Sequence, residues 1–406
     1  MYLKMLPTKA AAASERLVSL DAYRGLIMLS LAASGFGLTQ VAKQHPDSAV
    51  WTAIGFQFEH PEWISQFHVV GCSYWDLIQP SFMFMVGVAM PFSYAKRAAL
   101  GENWLGRALH ALIRSCVLIL MGVFLSSAWS QETNWSFVNV LSQIGLGYFF
   151  VFCLLGPREE EPADPLSDER PRSYRGVWTA CQLIVAAAIL AGYWYWFVQH
   201  PVSGASSYAD HFAKNTNAAA DVDRWLLNLF PRPEPFVENT GGYATLNFVP
   251  SIVTMLMGAM AGELLLRDRT RARATAWLVM GGGLCMVAAV AASYTVCPVV
   301  KRIWTPSWTL FSGAYALWIL AAFHYIVDVK RFRAWVFPLV VLGTNSMLVY
   351  MLGQLTRKWT ATQLRIHLGP SWFEGPYGPI VSSLAVTAVF WLICFWLYRQ
   401  RIFLRV

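Results

Sequence analysis

Apolar runs close to twenty residues long recur from one end of this chain to the other. They fall at roughly 18–41, 77–95, 108–128, 136–155, 176–198, 246–266, 275–296, 308–328, 335–354 and 378–399. An α-helix rises about 1.5 Å per residue, so about twenty apolar residues cross the ~30 Å hydrocarbon layer of a bilayer. Within lipid a single segment must satisfy its own backbone hydrogen bonds, which a helix does. The pattern predicts an all-α polytopic membrane protein, a bundle of about ten transmembrane helices with the lipid bilayer as its first partner. Composition agrees, because 56% of the residues are hydrophobic and only 13% charged, against about a quarter charged in soluble domains. The net charge of +8 follows from membrane topology, so no nucleic-acid partner is expected.

Alternate loops divide the basic residues unequally. One set of segments holds 22 of the 31 lysines and arginines, among them Lys96, Arg97, Arg107, Arg267 and Arg333. The other set holds nine, including Lys43, Lys214, Lys301, Arg302 and Arg357. The positive-inside bias then puts both termini in the cytoplasm and suits a bacterial inner (plasma) membrane. Met1 to Ser19 lacks the pattern of a cleavable signal, so the first span is expected to be retained. The chain divides into a first bundle half, 1–155, with an outer loop at 42–76, and a second half, 177–406, with an outer segment at 199–245. Between them "GPREEEPADPLSDERPRSYRG" (156–176), rich in proline and charge, reads as a cytoplasmic linker. In the outer segment "AAADVDRWLLNLF" has the pattern of a short surface helix. Cys72 and Cys297 both fall on the outer side, where an oxidising compartment would permit a bridge, although no spacing rule supports one. Oligomeric state is left open, a homo-oligomer included.

The stretch "FEHPEWISQFHVVGCSYWDL" (58–77) sets two histidines and three acids just ahead of an apolar run. Histidine takes and returns a proton near neutral pH, so His60 and His68 are both candidates for acid–base or nucleophilic work. The bland alternative is an interfacial histidine in an aromatic belt with Trp63 and Trp75. Glu59, His60, Glu62 and His68 match no metal-ligand spacing, and no metal is expected. Asp76 opens the second span from outside. On the inner side, Asp21 and Arg24 in "SLDAYRGLIML" share a helix face, and Arg114 in "ALIRSCVLILMGV" lies about two turns into its span. Ion pairing and snorkelling account for these charges as structure. Binding of a phosphate-bearing ligand from the cytoplasm accounts for them as function, since arginine's planar fork suits phosphate.

Several blocks, in order, resemble the heparan-alpha-glucosaminide N-acetyltransferase family and its bacterial relatives: "RLVSLDAYRGLIML" (16–29), "EHPEW" (59–63), "DLIQPSFMFMVGVAMPFS" (76–93), "FVPSIVTMLMGAMAGELL" (248–265), "KRIWTPSWTLFSGAYAL" (301–317) and "GTNSMLVYML" (343–352). The resemblance implies a membrane enzyme that moves acetyl from cytosolic acetyl-CoA to a glucosamine amine on the opposite face. It implies that His60, with Trp63 three residues on and Asp76 opening the next helix, is the catalytic histidine, with His68 as the fallback. Where family members carry an asparagine near the outer end of the first span, this chain has Ser34-Gly35, which puts the acceptor in question.

A transmembrane acetyltransferase built this way would hold acetyl-CoA against Arg24, Arg114 and Asp21 on the cytoplasmic side. His60 would meet the extracytoplasmic sugar acceptor, Asp76 would orient the imidazole, and Asn345 would donate to the developing oxyanion. The rival from another class is a small-solute transporter, for which Pro80 and Pro91 in the second span are suited. A non-catalytic scaffold is the third reading.

Overall fold

The structure is a computed structural model that describes residues 17–67, 71–155, 172–267 and 272–404, with backbone alone over 172–176. His68 and nearly all of the 156–176 linker lie outside the described residues. In chain order the helices are α1 (Val18–Ala32), α2 (Leu38–Gln44), α3 (Ala49–Gln57), α4 (Tyr74–Ala99), α5 (Trp104–Ser127), α6 (Val140–Leu154), α7 (Arg172–Gln199) and α8 (Ala218–Leu227). They continue as α9 (Phe248–Arg267), α10 (Ala272–Thr295), α11 (Pro306–Phe323), α12 (Phe337–Thr344), α13 (Ser346–Leu355), α14 (Arg357–Leu368) and α15 (Gly378–Arg399). The described residues contain no strand, as an all-α chain requires.

Seven of these helices are long and apolar enough to cross a membrane, and the count reaches nine if two bent pairs each make one span. Ten is reached only by adding α6, whose 15 residues measure about 22 Å and fall short of the hydrocarbon thickness. The two bends fall inside runs that read as continuous in the sequence. The first, of 45° between α1 and the helix after it, has a backbone cause. Ser34, Gly35, Phe36 and Gly37 stand at φ 44°, 65°, 57° and 70°, all left-handed. Each non-glycine residue in that region costs roughly 1–2 kcal/mol, so tertiary contacts must hold the turn. The Arg357 guanidinium supplies them, binding the Ala32 and Ala33 carbonyls and the Ser383 hydroxyl. It thereby satisfies carbonyls that the end of α1 leaves open. The second bend, of 68°, separates α12 from α13 at Asn345.

Close approach of backbones sets the packing at the centre. A Cβ at Gly87 would collide with the Met255 carbonyl, and Cβ atoms at Gly258 and Gly262 with the carbonyls of Phe84 and Val88. Thus α4 and α9 touch main chain to main chain, the use of small residues that helix association in lipid favours. Gly25 and Gly343 bring α1 and α12 together in the same way. One core cluster runs from Leu17 to Cys394 and draws on helices from both sides of the linker. The first and second halves of the chain are therefore interleaved. A smaller core joins α7, the 199–245 segment and the stretch after α10, with Phe197, Phe212, Ala219 and Ile303 among its buried side chains. It includes α8, the short helix anticipated in "AAADVDRWLLNLF", with Asn217 as its N-cap.

Candidate functional site

The site begins with the cap of α4. Ser73 Oγ accepts the Asp76 N–H, and the Asp76 carboxylate accepts the Ser73 N–H, each at 3.3 Å, a reciprocal capping box. Asp76 is only 2% exposed. Its Oδ1 receives His60 Nδ1 at 2.7 Å and the Lys301 ammonium at 2.9 Å. His60 and Asp76, sixteen residues apart, are thus brought together, and Lys301 joins them from the far side of the chain. Lys301 Nζ lies 3.2 Å from His60 Nδ1. An ammonium and an Nδ1–H are both donors, so the shared acceptor is the carboxylate. This arrangement assigns the proton to Nδ1 and leaves Nε2 as the basic nitrogen. The His60 side chain is 39% exposed, while those of Lys301 and Asp76 are 8% and 3%. A buried carboxylate paired with a buried cation keeps its charge only while both are hydrogen-bonded, a condition this trio meets.

The loop that carries His60 is tied at nearly every residue. Thr39 Oγ1 donates to the Phe58 carbonyl at 3.3 Å and Ser73 Oγ to the Glu59 carbonyl at 2.7 Å. The Arg302 guanidinium donates to the Pro61 carbonyl at 3.1 Å, and Trp63 Nε1 to the Phe212 carbonyl at 3.2 Å. Gly35, in the left-handed turn after α1, lies under the Phe58 ring, which also meets Phe36 edge-on. These contacts preorganise the imidazole, since a mispositioned base loses most of its benefit. Beside the trio a small cleft, open to solvent, is lined by Glu62, Trp63, Asp76, Lys301 and Arg302. Among the described residues no three His, Cys, Asp or Glu side chains converge as a metal site would require. Cys72 and Cys297 are both free thiols, bonded to the Ser73 carbonyl and the Ser307 hydroxyl respectively. Burial pushes the Cys72 thiol up to about 12.

The other residues singled out in the sequence lie elsewhere. Arg24 pairs with Asp21 at 3.9 Å and donates to the Met85 carbonyl at 3.4 Å, halfway along α4. Arg114 lies with its guanidinium 4.9 Å from the Tyr148 ring, and Tyr148 meets Tyr94, nine residues beyond Met85 on α4. Arg24 thus touches α4 directly, whereas Arg114 reaches it through Tyr148. Nearby, Arg97 is held by both carboxylate oxygens of Glu102 at 2.8 and 3.0 Å. Asn345 does not join His60 and Asp76. Its amide donates to the Ile402 carbonyl at 3.2 Å and accepts the Leu404 N–H at 3.0 Å. A polar group at a helix break signalled a ligand contact in the sequence, but here it satisfies the backbone of the stretch after α15. Lys301 was counted in the sequence only as a loop charge. Its signal was its place at the head of "KRIWTPSW", a block that resembles the family.

No family model matches the chain. Curated proteins do: the human heparan-alpha-glucosaminide N-acetyltransferase is 26% identical over 98% of this chain, and the mouse protein of the same name 24% identical over 98%. The alignments cover 61% and 62% of those proteins, so the chain spans about three fifths of their length. Across nearly all of its own sequence the chain is similar to these two heparan-alpha-glucosaminide N-acetyltransferases, bearers of the name of the family that its ordered blocks resemble.

Proposed function

We propose that this protein is a transmembrane acetyltransferase that carries acetyl from cytosolic acetyl-CoA to the amine of an extracytoplasmic glucosamine-type sugar. The observation that carries this reading is the His60–Asp76–Lys301 trio in a pinned loop beside an open cleft. As the acceptor amine's nitrogen attacks the thioester carbonyl and forms the C–N bond, His60 Nε2 takes the proton that this nitrogen loses. The C–S bond breaks and the coenzyme leaves as a thiolate, which the imidazolium reprotonates. Asp76 stabilises the imidazolium through Nδ1–H, as the carboxylate of a serine-hydrolase triad does. Lys301, bonded to that carboxylate at 2.9 Å, helps keep it ionised. Its charge is also suited to the oxyanion that develops on the acetyl group, the role that Asn345 does not fill.

Arg114 and Arg24 supply two cationic donors for the coenzyme's phosphates from the cytoplasmic side. Arg114→Met should weaken acetyl-CoA binding by about 1.5–3 kcal/mol, the worth of a hydrogen bond to a charged group. Isothermal titration with the coenzyme alone measures this, and an unchanged Kd in a folded Arg114→Met protein removes that residue from the donor site.

The topology that the mechanism needs puts His60 outside, both termini inside, and the protein in a plasma membrane, the bacterial inner membrane. A cysteine at Ser206, exposed in the outer segment, should react with an impermeant maleimide in intact cells. A cysteine at Ser167 in the linker should react only after lysis. The reverse pattern sinks the orientation. The activity itself is tested with purified protein, labelled acetyl-CoA and a panel of amino sugars. Labelled N-acetyl sugar is the expected product. Absence of transfer and of thioester cleavage, together with solute uptake into vesicles, would establish the transporter instead.

A further inference from the structure

Just ahead of α9 the chain makes a turn, 239–245, that is held at both ends. Asn239 Oδ1 accepts the N–H groups of Gly241 and Tyr243 at 2.9 and 3.2 Å. Gly242 stands at φ +72°, and a Cβ there would lie 2.6 Å from the Trp63 ring, so the back of the turn touches the His60 loop. At its far end the Thr245 N–H is accepted by both oxygens of Asp223, at 3.0 and 3.2 Å. The Thr245 carbonyl accepts Gln143 Nε2 at 3.0 Å. Asp223 and Gln143 are both buried, and bonds made by buried polar groups are costly to break. What this fixed turn presents is its only aromatic side chain, the half-buried Tyr243.

The Tyr243 ring borders three members of the site at once. Its centroid is 6.4 Å from that of His60, with the two rings inclined at 71°. It is 5.8 Å from Lys301 Nζ and 5.7 Å from the Arg302 guanidinium carbon. Both cations thus stand within the ~6 Å over which an aromatic face attracts positive charge. Each of them has a task beside His60. Lys301 bonds the Asp76 carboxylate that holds His60 Nδ1, and Arg302 donates to the carbonyl of Pro61, the residue after His60. Arg302 also donates to the Gly241 carbonyl at 3.0 Å, so one guanidinium ties the turn to the His60 loop. An ammonium on a flexible stem is a point charge without a preferred direction. Its bond to Asp76 sets a distance but not where the charge stands relative to the imidazole. The Tyr243 ring, on a backbone pinned at both ends, supplies that second constraint.

We propose that Tyr243 is a positioning residue for the transfer. Its ring clamps Lys301 and Arg302, and through them it fixes the charge beside His60 and the loop that carries the imidazole. The effect on rate rests on the acetyltransferase reading, whereas the clamp itself is read by amide hydrogen exchange. In the full-length protein in detergent, Tyr243→Leu should lower kcat about tenfold, the scale of a partly buried cation–π contact. KM for acetyl-CoA and the melting temperature should stay at the parent's values. Tyr243→Phe, which keeps the ring, should recover most of the loss. Phenylalanine analogues of increasing fluorine content at 243 withdraw charge from the ring face while keeping its shape. Across that series kcat should fall step by step, and exchange in the loop at residues 58–64 should quicken in parallel, by about tenfold at its end. A ring that only filled space would move neither. Parent-like kcat in Tyr243→Leu, or a flat fluorinated series, overturns the proposal. If Tyr243→Leu does not fold, the fluorinated series carries the test alone. If the parent transfers no acetyl to any amino sugar, the transferase reading has failed and exchange still decides the clamp. Exchange that rises with fluorine content then supports it, and unchanged exchange overturns it.

Discussion

His60→Ala should lower acetyl transfer about 10²–10⁴-fold, the contribution of a positioned general base, while acetyl-CoA still binds with the parent's affinity. The expectation rests on geometry rather than on the presence of a histidine. The imidazole is held through Nδ1 by a carboxylate that is buried, ionically paired and part of a helix cap, and its loop is bonded at residues 58, 59, 61 and 63. In barrier terms the loss is about 2.7–5.4 kcal/mol. Asp76→Asn removes the charge that stabilises the imidazolium and should fall between parent and His60→Ala. Its loss also leaves Lys301 as a buried cation without a counter-ion, so a lower thermal stability should accompany the lower rate. Steady-state rates with coenzyme binding measured in parallel decide the matter. If His60→Ala turns over like the parent, the imidazole is not the base; if His68→Ala is then inactive, the role passes to His68.

The second large effect should come from the centre of the bundle. Gly258→Val and Gly87→Val each insert side-chain atoms where α4 and α9 already touch backbone to backbone. No rotamer relieves such a clash, because the obstacle is a carbonyl and not a flexible side chain. Overpacking a core costs typically 1–3 kcal/mol, more where neighbours have no room to shift, and here the helices themselves must separate. Each substitution should lower the melting temperature in detergent sharply or prevent recovery of monodisperse protein. Gly283→Val is the internal control, since a Cβ there meets nothing within 4 Å, and it should behave as the parent. Parent-like melting of Gly258→Val would mean that α4 and α9 do not pack as described.

Hydrophobic length made the helices legible in the sequence, and the aspartate after the His-x-x-Trp loop made half of the site legible. Both are local features, readable within a few dozen residues. What stayed hidden depended on distance along the chain. Lys301 is 225 residues from the carboxylate it binds, and a loop lysine gives no sign of being buried. The bend between α1 and α2 was invisible for a different reason: apolar composition reports solvent and not backbone direction. Asn345 shows how the inference from a polar residue in an apolar run fails. Such a residue must have a partner, but composition does not say whether that partner is a ligand or the chain's own backbone.

The left-handed turn at Ser34–Gly37 bears on how freely this position can change through evolution. Among side chains other than glycine, asparagine is at home in the left-handed region. A serine at φ 44°, exposed at the outer face, therefore occupies a backbone seat that asparagine would take with less strain. The two residues are interchangeable at this point without rebuilding the turn, and Arg357 would hold either one. The turn can therefore change its side chain while the backbone it presents against Phe58 stays fixed.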